Sequence, residues 1–257
     1  MEHIGKKNLQ ETKHRGDIEM KTISKSIMAV CMIMIALVIV TGPTWAQDVK
    51  DEITNQTIMI DKAVTTLDNF LVDKNMAWFR KHISDSYGII VVPQLIKGGF
   101  IFAGAGGRAV LIARDTLTEE WSQPVFLTSI DVSWGLQIGG KSSQVILLIR
   151  TLRGLEEFYT SSVNLGAEAS IAVGPIGATG QAATAPTLKA DYLSFAKSKG
   201  AFAGISLAGS SMRVNNKWNG EYYGREVRPV EIIVTREVTN PKSAKLVEAV
   251  KRTGKVE

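Results

Sequence analysis

The residues of this 257-residue chain best suited to chemistry are cations set beside glycines. Lys97 precedes Gly98 and Gly99, Lys141 follows Gly139, and Lys197 and Lys199 run up to Gly200. Arg108 closes the Gly104-Ala-Gly-Gly107 block. Cationic heads beside glycine turns can meet phosphates, and exposed turn amides add donors. Lys97, Lys141, Lys197, Lys199 and Arg108 are therefore candidate ligands for an anionic lipid headgroup. The plainer alternative is that they solubilise turns. Trp78, Arg80 and Lys81, with His82, form a secondary candidate set. An aromatic among cations suits the headgroup region of a bilayer, although charge clusters commonly only face water.

Other chemistries are poorly supplied. Gly104-Ala-Gly-Gly-Arg-Ala109 fits a dinucleotide fingerprint only if it opens a helix, and Val110 to Ala113 read as a strand, so a tight turn or bulge is expected at these glycines. Gly204-Ile-Ser206 approaches a nucleophile elbow but lacks its last glycine. A serine hydrolase would have only His82 as base beyond the N-terminal region, and no carboxylate is marked to orient it. No catalytic residue is assigned. Cys31 is the only cysteine, so neither a zinc site nor a disulfide framework is expected. No calcium loop and no basic tract with interleaved aromatics occurs, which leaves no metal, no cofactor and no nucleic acid as the expectation.

The elements that must position these residues fall into three stretches. Residues 1–46 read as an N-terminal extension and signal peptide, with Lys21 and Lys25 before the apolar run Ile27 to Val40 and a cleavage site near Ala46. The run is short of the roughly 20 residues that span a bilayer. Met20 offers an alternative start. Cleavage would deliver a mature protein beginning at Gln47 to the periplasm or outside the cell. About 210 residues then remain, enough for one sizeable domain. The whole chain has a formal net charge of +5, compatible with an anionic partner surface.

Residues 47–86 read as a helical segment and residues 87–257 as a glycine-rich β core with a C-terminal helix. Ile53, Thr57, Ile60, Val64, Leu67 and Leu71 mark one stripe of a first helix between Asp48 and about Asp73. Its other face carries Asp51, Glu52, Asp61 and Asp68, which favours packing on the sheet over lying on a membrane. A second helix over Asn75 to Ser84 turns Met76, Phe79 and Ile83 inward. From Tyr87 the period changes to two. The strand Gly88 to Val92 is expected to stop at Pro93. Further strands are expected at Phe100–Ala103, Ala109–Ala113, Val125–Val132, Gly135–Ile138, Val145–Ile149, Ser170–Val173, Ala201–Leu207 and Val227–Val234. A helical turn is expected at Leu152–Thr160. Asn240-Pro241 caps and opens a last helix that runs to about Thr253. The stretch Lys97 to Gly104 is echoed by Lys199 to Gly204, a hint of pseudo-symmetry. The fold class expected is α+β: a mainly antiparallel or barrel-like glycine-rich sheet with N-terminal helices and a C-terminal helix.

Several blocks together resemble the SYLF family, also called the Ysc84-like domain. They are Lys97-Gly-Gly-Phe100, Gly135-Leu-Gln-Ile-Gly139, Gly166-Ala-Glu-Ala-Ser170 with Gly174-Pro175, Lys197 to Gly204 running to Gly209, and Tyr222-Tyr-Gly224. Trp121-Ser-Gln-Pro124 is similar to the family's turn before the central strand. The resemblance implies structural roles for Gly98, Gly99, Gly104, Gly135, Gly139, Gly166, Gly200, Gly204 and Gly209. It also implies a non-catalytic lipid-binding function, with anionic phospholipid or a phosphoinositide-like headgroup as partner. Actin binding, known in yeast-type members, is not expected of an exported chain. An envelope protein partner is the alternative. One departure is visible: Ser143-Gln144 stands where the family often has Ser-Asp.

Overall fold

The structure is a computed structural model. It describes residues 54–99, 103–133, 141–160, 162–177, 189–198, 201–203 and 207–253, with the backbone alone at 97–99, 103–104, 131–133, 141 and 201–203. These residues belong to one compact unit that starts at Ile53. The fold is α+β, as expected. The strands are β1 (Gly88–Gly99), β2 (Ala103–Ala113), β3 (Val125–Ser133), β4 (Lys141–Ile149), β5 (Ser162–Asn164), β6 (Ile171–Val173), β7 (Tyr192–Ser198), β8 (Ala201–Ala203) and β9 (Ser210–Val214). They form one sheet in the order β5-β9-β3-β2-β1-β4-β7-β6, with β8 paired to β7. All ladders are antiparallel except β6 with β7.

Both faces of the sheet are covered, which explains why its central strands carry unbroken apolar runs rather than an alternation. On one face Ile90, Val92, Leu111, Leu127, Val145, Leu147 and Tyr192 join Leu155, Phe158 and Ile232 in one core. On the other, Ile89, Val91, Val110, Ile112, Phe126, Ile146, Leu148 and Phe195 meet the helices through Ile60, Leu67, Phe70, Phe79 and Leu246.

The helices of that second core are α1 (Asn55–Leu71), α2 (Ala77–His82), α4 (Asn216–Tyr223) and α6 (Ala244–Thr253). Thr54 caps α1 by accepting from the Thr57 amide at 3.2 Å. The buried stripe of α1 is Gln56, Met59, Ile60, Ala63, Thr66, Leu67 and Phe70. It is rotated from the expected one: Ile60 and Leu67 are inside, but Thr57, Val64 and Leu71 are only half-buried. The helix also starts later than expected. Met76, Phe79 and Ile83 are fully buried, as the second helix required. Asn240 caps the last helical segment through the Lys242 amide, with Pro241 at its first position.

Three sequence expectations fail. β1 does not stop at Pro93. It runs on to Gly99, and the register against both neighbours slips by one residue there: Val91 pairs with Val110 but Gln94 with Arg108, and Val92 pairs with Val145 but Leu95 with Ser143. A β-bulge thus absorbs the proline, the one kind of place where a central strand tolerates a missing donor. The glycines Gly104 to Gly107 form no turn. They lie within β2, and the irregularity falls on the strand opposite. Val227–Val234 is not a strand. It contains α5 (Pro229–Ile233), because Pro229 presets the first helical φ and the Glu231 carboxylate accepts from the Arg228 amide at 2.7 Å. The turn after β4 is α3 (Leu152–Glu156) followed by a 3₁₀ turn. The strand expected at Gly135–Ile138 lies outside the described residues.

Candidate functional site

α1 covers the sheet where β1, β2 and β3 carry Val91, Val110 and Phe126. Further along the strands, rows on the same face lie beside the helix rather than under it. Gln94, Arg108 and Thr128 pair across β1, β2 and β3, and Arg213 of β9 extends the row. The next row, about 7 Å on, is Ile96, Gly106 and Ile130. A groove of about 490 Å³ opens above these two rows, with Ile58 and Lys62 of α1 as one wall and Trp218 of α4 at one end. An adjoining hollow of about 460 Å³ shares Ile58, Lys62, Pro93 and Gln94 and continues toward Gln144 of β4. That volume lies in the range of small-ligand sites.

The groove is apolar in its floor and cationic at its margin. Ile58, Ile96 and Ile130 are 38%, 53% and 41% exposed, which places three of the large exposed apolar side chains in one hollow. Lys62, Arg108 and Arg213 are exposed on the same side of the sheet. The Arg108 guanidinium lies 4.1 Å from the centre of the Trp218 ring, and its Nη1 donates to Thr128 Oγ1 at 3.4 Å. Among the described residues none of these three cations forms an ion pair. The acids of α1, by contrast, are engaged, Asp61 with Lys245 at 2.5 Å and Asp68 with Arg252 at 3.3 Å, and Asp73 just beyond the helix pairs with Lys197 at 3.6 Å. The groove therefore keeps positive charge that the rest of the helical layer neutralises.

The candidate residues read from the sequence are scattered over this frame. Arg108 stands in the groove. Lys97 and Lys141 are register partners at the same end of β1 and β4. Their side chains, and Lys199, Gly135, Gly139, Gly200 and Gly204, lie outside what is described. Lys197 pairs with Gln144 in the β4–β7 ladder, and its ammonium is turned to Asp73. Gly98 and Gly104 face each other at the end of the β1–β2 ladder. Gly166 and Gly209 both have positive φ, +86° and +91°, where any other residue is strained. Their strands meet through Gly209 N to Leu165 O at 2.8 Å.

The secondary set is engaged within the fold. Arg80 Nη1 donates to the Leu71 and Asp73 carbonyls at 3.1 and 2.5 Å and so closes the end of α1. Trp78 stacks on His82 with centroids 4.0 Å apart and also meets Phe195. His82 Nδ1 bonds the Trp78 carbonyl oxygen at 2.8 Å. Only Lys81 of the group is exposed.

Lys62, Arg213 and Trp218 were missed by sequence reasoning, and so was Asp191. Lys62, Trp218 and Arg213 gave no local signal, because they converge from α1, α4 and the neighbouring strand β9. Asp191 is a buried structural hub. It accepts from Thr151 Oγ1 at 2.6 Å, from the Ser170 amide and hydroxyl at 2.9 and 2.7 Å, and from Arg153 at 2.5 Å. Burial alone would raise its pKa. The hydrogen bonds from Thr151, Ser170 and Arg153 outweigh that and hold the carboxyl at about 2. No group of three or more potential metal ligands occurs among the described residues.

Residues 130–253 match the model of the Ysc84 family, described as Las17-binding protein actin regulator. That stretch, just under half of the chain, resembles the Ysc84 family. The chain is 30% identical over 165 residues to the SH3 domain-containing YSC84-like protein 1 of Xenopus laevis, covering 63% of this chain and 48% of that protein. It is 28% identical over 152 residues to the human protein of the same name, covering 59% and 44%. It is also 28% identical over 138 residues to LAS seventeen-binding protein 3 of Saccharomyces cerevisiae, covering 52% and 30%. The chain spans less than half the length of these curated relatives. Of these names, that of the yeast relative describes binding. The sequence-based exclusion of actin finds no support in them, since the family itself is described as an actin regulator. The Ysc84 match starts at Ile130, so Ile130 and Trp218 of the groove and Arg213 beside it lie inside the match, whereas Ile58, Lys62, Ile96, Gly106 and Arg108 precede it.

Proposed function

We propose that this Ysc84 domain is a non-catalytic lipid-binding module that engages anionic phospholipid at the groove beside α1. The observation that carries the reading is the coincidence of an exposed isoleucine floor with Lys62, Arg108 and Arg213, three cations free of ion pairs among the described residues. Apolar area favours insertion of hydrocarbon, and each cation near a charged membrane surface adds about 1 kcal/mol. Lys97 and Lys141, at the same end of the sheet, are proposed to extend the basic margin. Export is part of the proposal. It rests on the signal-like run before Ala46, and N-terminal sequencing of secreted protein that found Met20 retained would overturn it. No described helix is long and apolar enough to cross a membrane.

Sedimentation with vesicles tests the lipid reading. Wild type should pellet with anionic vesicles and remain in solution with neutral ones, and rising salt should release it. The combined change Lys62→Gln, Arg108→Gln and Arg213→Gln should weaken binding by about a hundredfold. Equal pelleting with neutral vesicles, or a triple variant that binds like wild type, would overturn the assignment.

A protein-binding role is the second reading. The family description names Las17 binding. At the other end of the strands, Leu117, Leu152 and Val234 are 93%, 47% and 51% exposed and line one hollow of about 260 Å³. An exposed apolar cluster of this kind marks interaction sites. A Leu117→Asp, Val234→Asp double variant should lose such a partner and keep vesicle binding.

A further inference from the structure

The glycines of β2 differ in what holds them. A Cβ on Gly107 would come within 2.5 Å of the Gln94 carbonyl oxygen, so the fold itself requires that glycine. A Cβ on Gly106 would meet nothing closer than the Ser129 carbonyl oxygen at 3.7 Å, an ordinary contact. Packing does not explain Gly106. Its position does: it lies between Ile96 on β1 and Ile130 on β3, in register with both, on the floor of the groove. The missing side chain leaves a trough with an isoleucine on each bank. The two banks stand two strand spacings apart, about 10 Å between backbones. Once the isoleucine side chains are in place, the trough has the width of one hydrocarbon chain and not of two.

One row away the surface turns polar, with Gln94, Arg108 and Thr128 across the same three strands. Lys62 faces this row from α1, and Arg108 lies stacked on Trp218. An acyl chain in the trough thus ends at two cations, Lys62 from the α1 wall and Arg108 from the sheet itself.

We infer that the trough over Gly106 binds a single-chain anionic amphiphile, a long-chain fatty acid, with its alkyl chain between Ile96 and Ile130 and its carboxylate between Lys62 and Arg108. The inference rests on the lipid-binding reading and sharpens it from a membrane surface to one extracted acyl chain. The carboxylate takes up a donor fork whose one hydrogen bond among the described residues goes to Thr128, and in doing so draws Arg108 from the Trp218 ring. Trp218 is therefore a built-in reporter of occupancy.

The test is calorimetric titration of the protein with sodium palmitate, with tryptophan emission read in parallel. Wild type should bind one palmitate per chain and change its emission. Gly106→Val fills the trough with a residue that suits a strand, and should lose about tenfold or more in affinity with an unchanged melting temperature. Arg108→Gln should bind more weakly and lose most of the emission change. Methyl palmitate, which lacks the charge, should bind more weakly than palmitate to wild type, and the difference should shrink in Arg108→Gln, where only Lys62 remains to meet the carboxylate. If Gly106→Val fails to fold, the pair Ile96→Ser and Ile130→Ser serves in its place, since both positions are already exposed. Equal palmitate affinity in wild type and the trough variant overturns the inference. A site that accepts lysophospholipid and refuses palmitate also overturns it. Failure to bind palmitate with intact binding to anionic vesicles rejects this site and leaves the membrane reading standing. Failure of both rejects both.

Discussion

Gln94 and Gly107 approach so closely across the β1–β2 ladder that their contact fixes the bulge at Pro93. The Gln94 carbonyl oxygen sits 2.5 Å from where a Cβ of residue 107 would lie, and Val92 Cγ1 is 3.3 Å from the same point. The extra residue that lets a proline sit in a central strand pushes the backbone toward β2, and only glycine can receive it. Both strands continue from this point to form the floor of the groove, so the bulge also decides which side chains face α1.

Gly107→Ala should therefore destabilise the domain by about 1–3 kcal/mol, because backbone must move to admit a methyl group. Gly106→Ala, one residue away, should stay within about 0.5 kcal/mol of wild type. Urea unfolding of the two variants checks the contrast. Equal stabilities would show that the bulge can relax.

Asp191 should make stability pH-dependent at the acid end. Its folded pKa of about 2 lies below the ordinary aspartate value of 3.8. Such a group contributes stability in full above the unfolded pKa and loses it as pH falls through the folded one. Asp191→Asn should cost about 2 kcal/mol at neutral pH. The gap from wild type should stay constant down to about pH 4 and close between about pH 4 and 2. Unfolding curves for both proteins across that window decide the matter, and a gap that persists at the acid end would assign the cost to packing.

Asn219 replaces a strand neighbour for β3. It is fully buried, accepts from the Phe126 amide at 2.8 Å and donates to the Phe126 carbonyl at 3.3 Å. Asn219→Ala strands a buried amide and should cost about 2 kcal/mol. Denaturant unfolding at neutral pH measures it.

The two sets of cations can be separated. Replacing Lys97, Lys197 and Lys199 together by glutamine should weaken anionic-vesicle binding less than the groove triple, because Lys197 is already paired with Asp73. Sedimentation with the same vesicles compares the triples, and a larger loss in the first would move the site to the rim. Arg80→Met should leave vesicle binding unchanged and lower the melting temperature, since its guanidinium closes α1.

The sequence alone determined the fold class, the inward residues of the second helix, the cap of the last helix and the resemblance to the Ysc84 family. Each depends on local spacing or on a run of neighbouring residues: Met76, Phe79 and Ile83 at helical intervals, Asn240 before Pro241, glycines at set places. Tertiary structure decided the rest. Pro93 reads as a strand end because a proline lacks a donor, and only pairing with β2 and β4 shows that a bulge carries the strand past it. Val227–Val234 has the alternation and β-branched residues of a strand, and the Glu231 carboxylate turns it into a helix. β7 was unmarked because Tyr192 to Ala196 are buried on both faces and show no alternation. The groove was illegible for the same reason that Arg108 alone was noticed: Lys62, Arg108 and Arg213 are far apart in the chain, and strand register and the seat of α1 bring them to one side of the sheet.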